Sequence, residues 1–216
     1  CKPVTINKHL RQLGRFLRWG KEMGFVDHIP KLTKLKQDRK FPVKIPPDAQ
    51  AKLLAATHDP DCEVRFRSRG WWRVWIKTLF YTGCRRGELL NLIWDDISWD
   101  EKHLLVRAEH EKTHRDRMIP LSDEILEVLQ AWWTESGSAD DSVHVFPVVQ
   151  ESCRQVYEDW MRIRKHAGVG KVTFKNARST AGSELAAEHP LPVVQGWLGH
   201  SNPNTTSQYY VNSQDA

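Results

Sequence analysis

Residues 31–47, KLTKLKQDRKFPVKIPP, interrupt the apolar patterning of the whole chain. The stretch holds six Lys/Arg and three prolines and shows no helical apolar period, which is the composition of an extended, solvated connector. It separates a short N-terminal piece from a long body, so the 216 residues are expected to hold one full domain and a fragment of another. We place the boundaries at 1–30 for the fragment, 31–46 for the connector and 47–216 for the body.

The N-terminal piece contains VTINKHLRQLGRFLRWGKEMG (residues 4–24). Ile6, Leu10, Leu13, Phe16 and Leu17 recur at helical spacing, with Arg11, Arg15, Arg18 and Lys21 on the other side. A lone amphipathic helix cannot bury its own apolar stripe, so it belongs to a helical domain of which little is present. Charge is distributed unevenly. Residues 1–46 carry twelve Lys/Arg against three Asp/Glu, a balance of +9, and the remainder carries −4. A basic arm on a near-neutral body suits a protein that grips a polyanion, and it is also what a solvated linker looks like.

An apolar fraction of 40% supports a real core and excludes global disorder. No run approaches the roughly 20 apolar residues needed to cross a bilayer, and the opening CKPVTINKHL lacks the apolar run of a signal peptide. Cys1, Cys62, Cys84 and Cys153 are scattered without a C-x-x-C pair. We therefore expect reduced thiols in a cytoplasmic protein rather than a disulfide framework or a zinc cluster.

The body reads as mainly α with a small antiparallel β-sheet (α+β). Pro46, Pro47 and Asp48 open a helix over AQAKLLAAT. An aromatic-rich helix, WWRVWIKTLFYTG, ends near Gly83, and a short one, RRGELLNL, follows. Three strands are expected at LIWDDI (92–97), HLLVRA (103–108) and DRMIPL (116–121). Ser122 is expected to cap DEILEVLQAWW, whose first turn is acidic. Further helices are expected at 149–167, 175–188, 192–198 and near 203–211.

Four constellations carry chemistry. In Thr82-Gly83-Cys84-Arg85-Arg86-Gly87-Glu88, a guanidinium sits beside free backbone N–H groups at a helix start, a pairing that suits a phosphate. Glu88, one turn after Arg85, can hold it in one rotamer, or the two form an ordinary surface pair. Lys112 lies in a turn five residues before Arg117 and can bring an ammonium over a cleft to protonate a leaving oxygen. Lys175-Asn176-Ala177-Arg178 opens another helix. Gly199-His200-Ser201 precedes Tyr209 by a short helical span, so His200 and Tyr209 can converge.

In this order, T-G-x-R-x-x-E, K-x4-R-x-I-P-L, R-S, and L-G-H-S with a tyrosine nine residues after the histidine resemble the tyrosine recombinase (phage integrase) family. The resemblance covers about 47–211, and residues 4–24 are similar to the last helix of that family's core-binding domain. It implies the DNA breaking–rejoining catalytic fold and site-specific recombination through a 3′-phosphotyrosyl intermediate. By position, Arg85 and Arg178 would clamp the scissile phosphate. Lys112 would protonate the departing 5′-oxygen, His200 would bond the phosphate and assist proton transfer, and Tyr209 would attack phosphorus. The rival nucleophile is the adjacent Tyr210. Lys175 stands where the family usually has histidine, and lysine binds phosphate but is a poorer proton acceptor near neutral pH. Lys31, Lys34, Lys36, Arg39, Lys40, Lys44 and Arg86 are the expected DNA-backbone contacts. The resemblance further implies no metal and no ATP, double-stranded DNA as partner, four protomers on paired sites, accessory DNA-bending proteins in some systems, and a nucleoid-associated location.

Two other readings compete. His110-Glu111-Lys112-Thr113-His114 fits H-E-x-x-H, but that zinc motif requires a helix, and here it falls between two strand-like runs. A non-catalytic DNA-binding relative of the same fold is the second, and retention of Tyr209 argues against it.

Overall fold

The computed structural model describes residues 2–37, 43–110, 115–136, 143–147 and 153–199. The chain divides into two compact units, Cys1–Phe41 and Pro42–Ala216.

In the first unit, helix α1 spans Pro3–Glu22, with proline in the first turn, where its missing N–H is no loss. Gly24, at φ 75°, reverses the chain. The returning segment is fastened to the helix through Asn7, whose Nδ2 donates to Leu35 O and whose Oδ1 accepts from Leu35 N–H, both at 2.8 Å. The first part of the expected connector is thus anchored to α1. Ile6, Leu10 and Leu17 are half-buried, whereas Leu13, Phe16, Trp19 and Phe25 remain exposed.

The second unit is mostly helical with one small sheet. Helix α2 spans Pro47–His58 and α3 spans Arg69–Thr82. Ser68 caps α3, accepting from Trp71 N–H at 3.0 Å. Ten of the fourteen α3 residues are buried, so α3 is the central rod of the domain. Its Trp71, Trp72 and Trp75 pack edge-on or stacked against one another and against Phe146, Trp160 and Phe174.

A buried carboxylate completes the entry to α3. Asp159 is fully buried and accepts the backbone N–H groups of Arg65 (2.8 Å), Phe66 (3.0 Å) and Arg67 (3.1 Å), with the Trp72 indole N–H at 3.3 Å. A loop that would otherwise bury unmet donors is thereby satisfied.

Helix α4 spans Arg86–Leu90. Strands β1 (Ile97–Ser98), β2 (His103–Val106) and β3 (Arg117–Pro120) form an antiparallel sheet in that order, with Leu104 opposite both Ile97 and Ile119. The expected strand at 92–97 is mostly not a strand. Trp94–Asp96 form a 3-10 turn and only Ile97 joins the sheet. The cause is Asp96, buried with its carboxylate accepting Ile93 N–H at 3.2 Å and Arg107 Nε at 2.5 Å, which folds the chain back on itself. Ala108–His110 form a single 3-10 turn. The rest of the H-E-x-x-H run lies outside the described residues.

Helix α5 spans Asp123–Glu135. Ser122 stands at its N-cap without the expected side-chain bond, and its N–H instead donates to Tyr81 Oη at 2.8 Å. Asp123 and Glu124 still supply the negative charge the first turn favours. Helices α6 (Cys153–His166), α7 (Phe174–Glu188) and α8 (Leu191–Leu198) follow; the helix expected near 203–211 lies outside the described residues. Ile45 N–H donates to Thr180 Oγ1 at 2.8 Å and Asn176 Nδ2 donates to Val43 O at 3.1 Å, so the last connector residues belong to this unit. Among the described residues, no helix is long and apolar enough to cross a membrane.

Candidate active site

The end of α3 sets the site. Gly83 takes the left-handed conformation (φ 60°) as the C-cap. A Cβ there would lie 2.8 Å from Leu198 Cδ2 and 3.1 Å from Ala181 Cβ. Glycine therefore serves both the turn and the close approach of α7 and α8. Two residues later Arg85 is the N-cap of α4, and Glu88 accepts its backbone N–H at 2.7 Å, satisfying one orphan donor of the helix start.

Helix α7 brings the second arginine. Thr173 and Asn176 form a capping box, with Thr173 N–H donating to Asn176 Oδ1 at 2.9 Å and Asn176 N–H to Thr173 Oγ1 at 3.3 Å. Arg178 follows in the next half-turn. Its Nη1 donates to Gly83 O at 2.8 Å and its Nη2 donates to Leu198 O.

Glu88 is the hub. Its side chain is 1% exposed, its Oε1 receives Arg85 Nη1 at 2.5 Å, and its Oε2 receives Arg117 Nη2 at 2.5 Å and lies 3.9 Å from Arg178 Nη1. The surface Arg85–Glu88 pair considered from sequence is replaced by a buried cluster of three guanidiniums around one carboxylate. Burial pushes the Glu88 carboxyl up. The hydrogen bond and charge of Arg117, with the N–H and guanidinium of Arg85, outweigh that and hold it below the ordinary carboxylate range. Burial, then repulsion from Arg85, depresses the Arg178 guanidinium to about 10. Cys84, buried between these groups, has its thiol pushed up by desolvation, so it is not a thiolate nucleophile here.

Side-chain exposure falls in order across the cluster: 34% for Arg85, 13% for Arg178 and 7% for Arg117. The three arginines also divide the last turn of α8 between them. Arg117 Nε donates to Trp197 O at 3.0 Å, Arg178 donates to Leu198 O, and Arg85 Nη2 donates to Gly199 O at 3.3 Å. Carbonyls at a helix C-terminus favour such cations. Among the described residues these four side chains sum to +2, and with its outer members accessible the cluster can bind a phosphate and stabilise charge that grows on its oxygens.

The sequence-predicted residues fall into three groups. Arg85, Glu88 and Arg178 come together. Arg86 does not join them, its guanidinium lying 5.9 Å from the Phe174 ring centroid, and Lys175 is exposed one turn before Arg178. Lys31, Lys34, Lys36 and Lys44 are exposed. Arg39, Lys40, Lys112, His200, Tyr209 and Tyr210 lie outside the described residues. Sequence reasoning gave Arg117 no part in the site. The signal was present: with period 2, Arg117 shares its face of β3 with the fully buried Ile119.

The phage integrase family model matches residues 44–216, most of the chain. This protein belongs to the phage integrase family. It is 26% identical over 214 residues to the tyrosine recombinase XerC of Xanthomonas axonopodis pv. citri, covering 95% of this chain and 66% of that protein. For a Pseudomonas aeruginosa relative 28% identical over 242 residues, the chain spans 53% of the relative's length. Its fold is that of the Tn1549 transposon integrase solved in complex with a circular intermediate DNA, with a TM-score of 0.76 at 19% identity over 95% of this chain and 74% of that one. It is likewise that of a lambda integrase tetramer bound to a Holliday junction, with a TM-score of 0.69 at 22% identity over 93% and 57% of the two chains.

Proposed function

We propose that this chain is the catalytic part of a site-specific DNA recombinase that cuts and rejoins strands through a phosphotyrosyl link to Tyr209. The observation that carries the reading is the Arg85–Glu88–Arg178 cluster. Two partly exposed guanidiniums from segments far apart in the chain meet around one buried carboxylate and donate to the carbonyls of Leu198 and Gly199, just before His200 in sequence. A transferring phosphoryl group gathers charge on its non-bridging oxygens, where arginine forks serve best. Arg85 and Arg178 clamp those oxygens in this reading. Lys112 protonates the 5′-oxygen as it leaves, His200 bonds the phosphate and eases the proton from the nucleophile, and Tyr209 attacks phosphorus. The tyrosyl ester conserves the energy of the broken bond, so the reaction runs without a nucleotide or a metal. Lys175, in place of histidine, supplies charge more than basicity and bears on the rate.

The partner is double-stranded DNA, gripped by the catalytic unit and by basic residues around it, with Lys31, Lys34, Lys36, Arg39, Lys40, Lys44 and Arg86 on the backbone. The tetramer on a Holliday junction seen for lambda integrase supplies the assembly we propose for the whole protein, of which residues 1–30 are the end of a core-binding domain. Accessory DNA-bending proteins, a mobile-element origin and a cytoplasmic, nucleoid-associated location belong to the same proposal.

A suicide duplex, nicked beside a site drawn from DNA flanking the gene, tests it. Wild-type protein is expected to form a denaturant-stable adduct that Tyr210→Phe keeps and Tyr209→Phe loses. Binding without an adduct in wild-type protein would instead establish a DNA-binding relative that does not cleave.

A further inference from the structure

Arg117 is the most buried of the three arginines, and the recombination chemistry above leaves it without a task. It lies at the start of β3, its side chain 7% exposed, behind Arg85 and Arg178. Its Nη2 donates to Glu88 Oε2 at 2.5 Å and lies 3.8 Å from Cys84 Sγ, while its Nε donates to Trp197 O at 3.0 Å. A guanidinium so enclosed between β3, α4 and α8 does not meet a DNA backbone.

We propose that Arg117 is a positioning residue for phosphate cleavage, neutralising Glu88 from within and pinning the last turn of α8, so that Arg85 and Arg178 keep both charge and aim for the phosphate. The inference rests on the recombinase reading above. Its logic is a charge count. Among the described residues, with Arg117 present the three guanidiniums and the one carboxylate sum to +2, which matches the two negative charges of a pentavalent phosphoryl transition state. Without it the count is +1. The Glu88 carboxylate, whose Oε2 already lies 3.9 Å from Arg178 Nη1, would then draw Arg178 toward itself. The loss is geometric as well. Trp197, Leu198 and Gly199 offer successive carbonyls to Arg117, Arg178 and Arg85, so releasing the innermost loosens the turn that the other two hold.

The test is single-turnover cleavage of the nicked suicide duplex by wild type, Arg117→Gln, Arg117→Lys and the Glu88→Gln/Arg117→Gln pair. Kd for the same duplex and a melting temperature are measured for each. Misplacing a clamp by an ångström is expected to slow cleavage about 100-fold in Arg117→Gln, with Kd nearly unchanged because phosphate contacts along the rest of the duplex persist. The double variant restores the +2 charge and is expected to recover about tenfold of that loss, a coupling within the range of contacting pairs. Arg117→Lys keeps the charge, loses the fork, and should fall between. A folded Arg117→Gln that cleaves at the wild-type rate overturns the proposal, as does a double variant no faster than the single one. If Arg117→Gln does not fold, the double variant and Arg117→Lys decide: cleavage by both within about tenfold of wild type supports neutralisation, and a folded double variant slowed about 100-fold or more overturns it. Wild-type protein that forms no adduct overturns the recombinase reading first, an outcome distinct from normal wild-type cleavage with indifferent variants.

Discussion

Replacing Arg178 by methionine is expected to leave the DNA-free protein close to its original stability while removing its hold on a phosphate. Methionine keeps the apolar stem and discards the charge. Two opposing contributions set the magnitude. The guanidinium is depressed well below the ordinary arginine range, to about 10, by burial first and by repulsion from Arg85 second, which at neutral pH corresponds to about 3 kcal/mol of strain on the charged form. The sign is that of a base lowered on folding: the cost is present in full below about 10 and is relieved only as pH rises beyond it. Against this stand the donations to Gly83 O and Leu198 O, about 1.5 kcal/mol each for a charged donor. The two nearly cancel, so urea unfolding at pH 7 in phosphate-free buffer is expected to place Arg178→Met within about 1.5 kcal/mol of wild type. Inorganic phosphate at ten times its Kd should then stabilise wild type by about 1.4 kcal/mol and the variant by less. A drop above about 3 kcal/mol in phosphate-free buffer would overturn this balance, because Arg178 would then be a structural anchor rather than a strained charge awaiting an anion.

Glu88→Gln leaves Arg117 buried against a neutral group and should cost about 3 kcal/mol near neutral pH, read by urea melts. Glu88 is held below 4.5 in the folded protein, so its contribution is full above that value and disappears as pH falls through its folded pKa; the gap to the Gln variant should close in acid. Gly83→Ala forces a Cβ to within 2.8 Å of Leu198 at φ 60° and should lower stability by about 2 kcal/mol; an unchanged melting temperature would contradict the packing described. Changing Lys31, Lys34, Lys36 and Lys44 to glutamine together should flatten the slope of log K for DNA against log salt by about 0.9 for every phosphate that is no longer neutralised; an unaltered slope would remove them from the DNA interface.

Local spacing made much of this architecture legible. The helix ending at Gly83, the helix opening near Lys175 and the T-G-x-R-x-x-E turn are all encoded within a few neighbouring residues, so the sequence places Arg85, Glu88 and Arg178 at helix starts without further help. What it concealed is non-local. The cradle for the arginines is made of backbone carbonyls at the end of α8, which leave no side-chain signature. Asp159 meets backbone N–H groups more than ninety residues away in the chain, a pairing that no period displays. The 92–97 segment had the composition of a strand, yet the buried Asp96 carboxylate won the backbone for a turn. The basic connector looked free throughout, and the Asn7–Leu35 pair and the Ile45–Thr180 bond fasten its two ends.

The proposed chemistry stands or falls on a covalent bond between one tyrosine and a DNA 3′-phosphate, and peptide mapping of the trapped adduct by mass spectrometry reads that bond directly. The expected result is a nucleotide-bearing peptide modified at Tyr209, with a free 5′-hydroxyl on the released strand. A modified Tyr210, a 5′-phosphate link, or an adduct on any other side chain would contradict it.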